Sequence, residues 1–130
     1  MRHLWIGLAG AAGALSRYLL GLLAAGLIPS VFPWGTLVIN VVGCLVLGLV
    51  VGFGYDRGLL PEPWRAPVAV GFIGAFTTFS TWTVDTVRLF EIGHPGLAIA
   101  NVAISLVLGL AATAFGLRAA GRPAPSLRRD

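Results

Sequence analysis

The sequence predicts an all-α membrane protein with four transmembrane helices. Three observations carry that prediction. Of the 130 residues, 57% are hydrophobic, and the mean hydropathy is +0.89. Only 11% are charged, less than half the share usual in soluble domains, so a polar exterior cannot be assembled from them. The charges are spaced so that four long apolar runs lie between them, and about 20 such residues cross a bilayer as a helix.

The first run covers residues 4–28 and is apolar apart from Ser16, Arg17 and Tyr18. It is too long for the apolar core of a signal peptide, and three further runs follow it. Pro29 and Pro33 mark a short uncharged loop. The second run, residues 34–53, ends at a polar loop with Asp56, Arg57, Gly58, Pro61, Glu62 and Pro63. The third covers residues 65–90, and the turn Gly93-His94-Pro95-Gly96 leads into the fourth, residues 97–117. Residues 1–117 are therefore expected to form a single four-span domain. Residues 118–130, rich in Arg, Pro and Ala, are expected to form a disordered tail. Trp5, Trp34 and Trp64 fall near run ends, where indole rings favour the membrane interface. Helices of a soluble bundle would each carry a polar face, and these runs are apolar nearly all round.

Net charge is +4, and all nine basic residues are arginine. They stand singly at run ends or in the tail, so they read as topology determinants and not as a nucleic-acid patch. Four spans put both termini and the middle loop on one side, with Arg2, Arg57, Arg65, Arg118, Arg122, Arg128 and Arg129. The other side has Arg88 alone. The positive-inside rule then predicts that both termini are cytoplasmic. Cys44 stands alone in an apolar run, which excludes a disulfide framework.

Every polar group inside a run needs a reason. Arg17 lies near the middle of run 1, where an arginine costs roughly 2.5–3.5 kcal/mol on insertion scales. It is either tied to a structural partner or a source of positive potential for an anion. Thr36, Asn40, Cys44, Gly48 and Gly52 recur every fourth residue on run 2, so they share a helical face. The glycines suit close helix packing, and Asn40 brings amide donors and an acceptor. In run 3, Thr77, Thr78, Ser80, Thr81 and Thr83 crowd into seven positions just after Gly74. Such residues weaken a helix, so the third helix is expected to break near its middle. Unwound backbone at membrane depth is tolerated only inside protein or beside water. The plainer reading is hydroxyls bonded to their own helix. Phe79 and Trp82, three apart, can line one wall. Asn101, Ser105, Gly109 and Thr113 form a comparable stripe on run 4.

A lining of hydroxyls, amides and aromatic edges favours a small anion, because ring edges are positive and N–H and O–H groups donate. Hydroxyl and amide oxygens also hold cations, so these residue types alone leave the solute open.

Three segments together resemble the Fluc (CrcB) family of fluoride channels. They are Gly10-Ala11-Ala12-Gly13-Ala14-Leu15-Ser16-Arg17-Tyr18, Gly35-Thr36-Leu37-Val38-Ile39-Asn40-Val41-Val42-Gly43, and residues 71–81 from Gly71 through Gly74, Thr77 and Phe79 to Thr81. The resemblance spans residues 4–117. It implies a passive fluoride-selective channel in the bacterial plasma membrane that exports cytoplasmic fluoride and limits its toxicity. It also implies an antiparallel, dual-topology dimer with two pores. Gly74 and Thr77 match positions whose backbone carbonyls hold a structural sodium ion at the dimer centre. Asn40 and Phe79 match residues that contact fluoride, and Ser80 a hydroxyl beside the pore. Asn101, Ser105 and Thr113 fall where the family has a polar track. Arg17 matches an arginine that makes the vestibules electropositive, and Asp85 falls where many members have Glu. Trp82 departs from the pattern, because the family usually has a second Phe there.

The arginine bias sits uneasily with a homodimer whose subunits insert in opposite senses, so pairing with an oppositely oriented paralogue is the alternative assembly. A small multidrug exporter shares the length and span number but needs a carboxylate within span 1, where this chain has Arg17. A non-transporting assembly subunit explains the glycines and leaves three polar stripes unexplained. No carboxylate pair, metal cluster or nucleophile motif points to an enzyme.

Overall fold

The computed structural model describes residues 1–121. Helix α1 (Arg2–Leu27) forms the first span. The second span joins α2 (Trp34–Leu49) to a π-helical stretch, Val50–Asp56. The third span runs over Glu62–Glu91. It comprises α3 (Glu62–Ala66), a π-helical stretch Pro67–Ile73, α4 (Gly74–Phe76) and α5 (Phe79–Glu91). Helix α6 (Pro95–Ala119) is the fourth. All four spans are long and apolar enough to cross a membrane, and among the described residues there is no strand. The protein is an all-α, multi-pass membrane protein.

Local chemistry explains the boundaries. Pro67 lacks an N–H and crowds the preceding turn, and the backbone widens into the π-helical stretch that starts there. Thr78 caps α5, its hydroxyl accepting the Thr81 N–H at 3.1 Å. At the other end of α5, Gly93 adopts a φ of 82°, a left-handed turn that glycine takes without a steric penalty. The Gly93 and His94 N–H groups then donate to the Phe90 and Leu89 carbonyls at 3.1 and 2.9 Å, which closes the helix end. Pro95 opens α6 without losing a bond, since first-turn N–H groups have no helical acceptor.

Small residues let the spans touch. Span 2 packs along span 4, and span 1 packs on the first half of span 3. A Cβ on Gly116 would stand 2.7 Å from the Leu45 carbonyl oxygen, and one on Gly71 would stand 2.7 Å from that of Ile6. These are backbone-to-backbone approaches of the kind small residues permit in bilayers. The buried apolar core is thin, with Leu37, Ile39, Ile73, Phe76 and Leu89 at its centre. Leu15, Leu22, Val70, Leu110 and Phe115 are exposed on the outside, as suits a lipid-facing surface.

Among the described residues, the N-terminus, the middle loop and Gly121 share one end. Arg2 pairs with Glu62 at 3.6 Å, and Arg57 lies against Gly121. The Tyr55 hydroxyl donates to the Arg65 carbonyl at 2.9 Å. The fourth helix runs two residues further than the sequence boundary at 117. Ala120, just beyond it, is fully buried against Gly52. Residues 122–130, with Arg122, Arg128 and Arg129, lie outside the described residues.

Candidate ion pathway

The site is built around Thr77 and Thr78. Helical geometry ends at Phe76. Thr77 and Thr78 are extended, with ψ of 157° and 118°, and helix resumes at Phe79. The Thr78 N–H has no helical acceptor there, and Asn40 binds both backbone polar groups of that residue. Its Nδ2 donates to the Thr78 carbonyl at 3.0 Å, and its Oδ1 accepts the Thr78 N–H at 2.8 Å. One Asn40 N–H remains, since an amide nitrogen carries two. Gly43, one turn further along span 2, gives the Thr77 side chain its space.

This arrangement changes what the neighbouring carbonyls can do. In a continuous helix the Thr78 N–H would bond the Gly74 carbonyl, and the Thr81 N–H would bond that of Thr77. Here the first goes to Asn40 Oδ1 and the second to Thr78 Oγ1. The Gly74 and Thr77 carbonyls thus lose their helical donors. Between them, the Ala75 carbonyl accepts Arg17 Nε at 3.1 Å. Arg17 therefore has a structural partner at the C-terminal end of α4, where a cation is favoured. The plainer reading of the threonines also holds for several. Thr77, Thr83 and Thr86 donate to the carbonyls of Ile73, Phe79 and Trp82 at 3.1, 2.9 and 2.8 Å.

Two cavities meet at this segment. The first, about 360 Å³, brings together Asn40, Gly74, Thr77, Phe79, Trp82 and Ser105, with Thr78 and Cys44. No charged side chain lines it. Phe79 and Trp82 form one wall, their rings 5.2 Å apart, and Phe79 is 76% exposed. The Trp82 Nε1 and Ser105 Oγ atoms are buried and have no hydrogen-bond partner. The second cavity, about 370 Å³, holds Arg17 and Asp85 together with Thr36, Thr81 and Thr78. Thr36 Oγ1 donates to Asp85 Oδ2 at 2.6 Å. Thr78 lines both cavities.

The remaining sequence candidates lie outside the lining of both cavities. Ser80 is exposed, its Oγ 3.3 Å from Thr78 Oγ1. Asn101 is fully buried and ties α6 to α5, donating to Thr86 Oγ1 at 2.9 Å. Thr113 donates to the Cys44 carbonyl at 3.3 Å and joins span 4 to span 2. Sequence reasoning singled out Asn40 without its partner and named Thr78 only as one of the Ser/Thr cluster. The Thr78-Phe79-Ser80-Thr81 pattern, a threonine three residues before a helical N–H, was the available signal. Residues four apart drift around a helix by about 40° per step. That drift turns Thr36 and Asn40 toward span 3 and Gly48 and Gly52 toward span 4.

Fold and site together define a small multi-pass membrane protein with a neutral, largely apolar cavity beside a charged one. A family model described as "CrcB-like protein, Camphor Resistance (CrcB)" matches residues 4–117, and the chain belongs to that family. It is 59% identical over 113 residues to fluoride-specific ion channel FluC 2 of Symbiobacterium thermophilum, covering 87% of this chain and 92% of that one. It is 47% identical over 114 residues to fluoride-specific ion channel FluC of Solidesulfovibrio magneticus, covering 87% and 90%. To the protein of the same name from Koribacter versatilis it is 41% identical over 110 residues, covering 85% and 87%.

Proposed function

We propose that the protein is a passive, fluoride-selective ion channel that lets cytoplasmic fluoride leave the cell. The observation that carries this reading is the neutral cavity at Thr78, walled by Asn40, Phe79, Trp82 and Ser105 and adjoining the cavity that holds Arg17. Full relatives named as fluoride-specific channels support the choice of anion.

Burying bare fluoride costs on the order of tens of kcal/mol, so donors must replace its water. Arg17 raises anion concentration at the mouth. The spare Asn40 N–H, the Ser105 hydroxyl and the edges of Phe79 and Trp82 then replace water in turn. Ser80, exposed beside Thr78, extends the path once a partner subunit closes it, while Asn101 and Thr113 hold span 4 against α5 and span 2. Neutral donors hold an anion less tightly than charged ones, which permits exit as well as access. The high exposure of Phe79 supports an antiparallel dimer, with a homodimer as the simplest form and an oppositely oriented paralogue as the alternative. A third span interrupted at membrane depth belongs to the same reading.

Sodium fits the donor set. The Gly74 and Thr77 carbonyls, freed of their helical donors, are the type of unwound-helix oxygens that hold Na⁺. Bound sodium would fix two subunits at their centre. The arginine bias favours both termini in the cytoplasm of the plasma membrane, which suits pairing with an oppositely oriented paralogue; in an antiparallel homodimer one of the two copies is inverted.

The test is growth. A bacterium made fluoride-sensitive by loss of its own export should recover at acidic pH, where HF enters and dissociates, when it expresses this chain. Continued sensitivity, with the protein present in the membrane, would refute the reading.

A further inference from the structure

Where spans 2 and 3 join, the protein carries a groove that the ion pathway does not use. It holds about 290 Å³ and is lined by Val46, Leu49 and Phe53 of span 2, Leu59 and Leu60 of the loop, and Val68 of span 3, with no polar side chain among its lining residues. The loop is pinned to the helix. The Leu59 and Leu60 N–H groups donate to the Phe53 and Gly54 carbonyls at 3.2 and 3.1 Å, and a Cβ on Gly54 would stand 3.0 Å from that of Leu60. Val46 and Leu59 are exposed. From Val46 to Phe53 the groove follows the span for about 10 Å. Two arginines stand at the end nearest the loop, each tethered to a lining residue. Arg57 lies over the Phe53 ring at 5.1 Å. Arg65 donates from Nε to the Leu60 carbonyl at 3.1 Å and lies over the Tyr55 ring at 5.3 Å. Nε accounts for one of the five N–H donors of a guanidinium. At the same end the exposed rings of Trp5 and Trp64 meet at 5.7 Å, which sets this level at the depth of lipid headgroups. Its charge is positive. Glu62 pairs with Arg2, and Asp56 is the other acid there beside Arg57, Arg65 and Arg118.

We propose that the groove and its two arginines form a binding site for one anionic phospholipid. Arg57 and Arg65 hold its phosphate, and part of an acyl chain lies along the groove. An apolar slot alone takes any lipid chain. Two guanidiniums at its head select a negative headgroup, because their N–H groups make charge-assisted bonds to phosphate oxygens. A zwitterionic lipid carries its own cation beside the phosphate and gains less. An inverted copy of the chain would bring Arg88 and Glu91 to this level, whose charges cancel, so it offers the arginines no net counter-charge. The site does not depend on which ion the protein conducts.

The test is native mass spectrometry of the purified full-length protein in detergent. It is titrated with palmitoyl-oleoyl-phosphatidylglycerol or with the phosphatidylcholine of the same chains. The expected result is saturable binding of one phosphatidylglycerol per chain, about tenfold tighter than phosphatidylcholine. Arg57→Gln and Arg65→Gln should each weaken phosphatidylglycerol binding about fivefold, the usual weight of one basic residue at an anionic lipid surface. Arg88→Gln, at the other end, should leave it unchanged. Should Arg65→Gln fail to fold, Leu59→Glu, at an exposed position, puts a negative charge at the mouth and should weaken binding as much. Equal affinity for the two lipids, or phosphatidylglycerol affinity unmoved by both arginine variants, would overturn the site. Full competition by glycerol phosphate at equal concentration would also overturn it, in favour of a soluble phosphate. A dimer lost in the double arginine variant at unchanged phosphatidylglycerol affinity would overturn it in favour of a second copy.

Discussion

The two cavities that meet at Thr78 are nearly equal in volume, about 360 and 370 Å³, and opposite in character. One holds Arg17 and Asp85, and the other has no charged side chain in its lining. Charge and neutrality solve different problems. A fixed guanidinium gathers anions from dilute solution, but charge-assisted bonds are roughly twice as strong as neutral ones and would retain what they gather. Neutral donors exact less dehydration cost per step than a bare cavity and still let go. On the proposed function, the charged cavity serves capture and the neutral one serves transfer, and Thr78 lines both.

That division makes ordered predictions. Asn40→Asp should have the largest effect. It removes the donor to the Thr78 carbonyl and puts a negative charge into the neutral cavity. The lost hydrogen bond alone costs about 0.5–1.5 kcal/mol, and the added negative charge repels fluoride, so flux should fall by about 100-fold or more. Liposome efflux at the wild-type rate would break the distinction between the cavities.

Arg17→Gln comes next. Flux at low ionic strength should fall about tenfold, within the range of electrostatic focusing. The gap to wild type should narrow as inert salt rises and screening sets in. A deficit independent of salt would mean that Arg17 acts only by tying down the Ala75 carbonyl.

Thr78→Val tests the shared wall. It deletes the α5 cap and should lower stability by about 1 kcal/mol, read as an earlier midpoint in detergent unfolding. Asp85→Asn should have the smallest effect. The amide oxygen still accepts from Thr36, while the loss of one negative charge should raise low-salt flux by about twofold through the local potential. A fall in flux would show instead that the carboxylate itself serves transfer.

Much of this was legible in the residues, and the limits have physical causes. The four spans were readable because bilayer thickness dictates run length, and each came out within about three residues of its expected ends. The Ser/Thr cluster includes Thr77 and Thr78, which are extended between α4 and α5. Legibility stopped where meaning depended on partners distant in sequence. Arg17 reaches a carbonyl 58 residues away, and Asn40 reaches a backbone unit 38 residues away. Periodicity along one helix places a side chain on a face but does not name what lies opposite. The run 4 stripe illustrates this. Ser105 lines the neutral cavity, while Asn101 bonds Thr86 on α5 and Thr113 bonds Cys44 on span 2. The release of the Gly74 and Thr77 carbonyls was likewise invisible, because it results from side chains capturing N–H groups that a helix would have used.

The central claim is that the neutral cavity at Thr78 passes fluoride selectively. Its most direct test is anion efflux from liposomes that contain only the purified protein, loaded in parallel with fluoride or chloride and read by ion-selective electrodes. The account predicts rapid, complete fluoride release and chloride retention at the level of empty liposomes. Equal release of the two anions, or no fluoride release from protein that is folded and inserted, would contradict it.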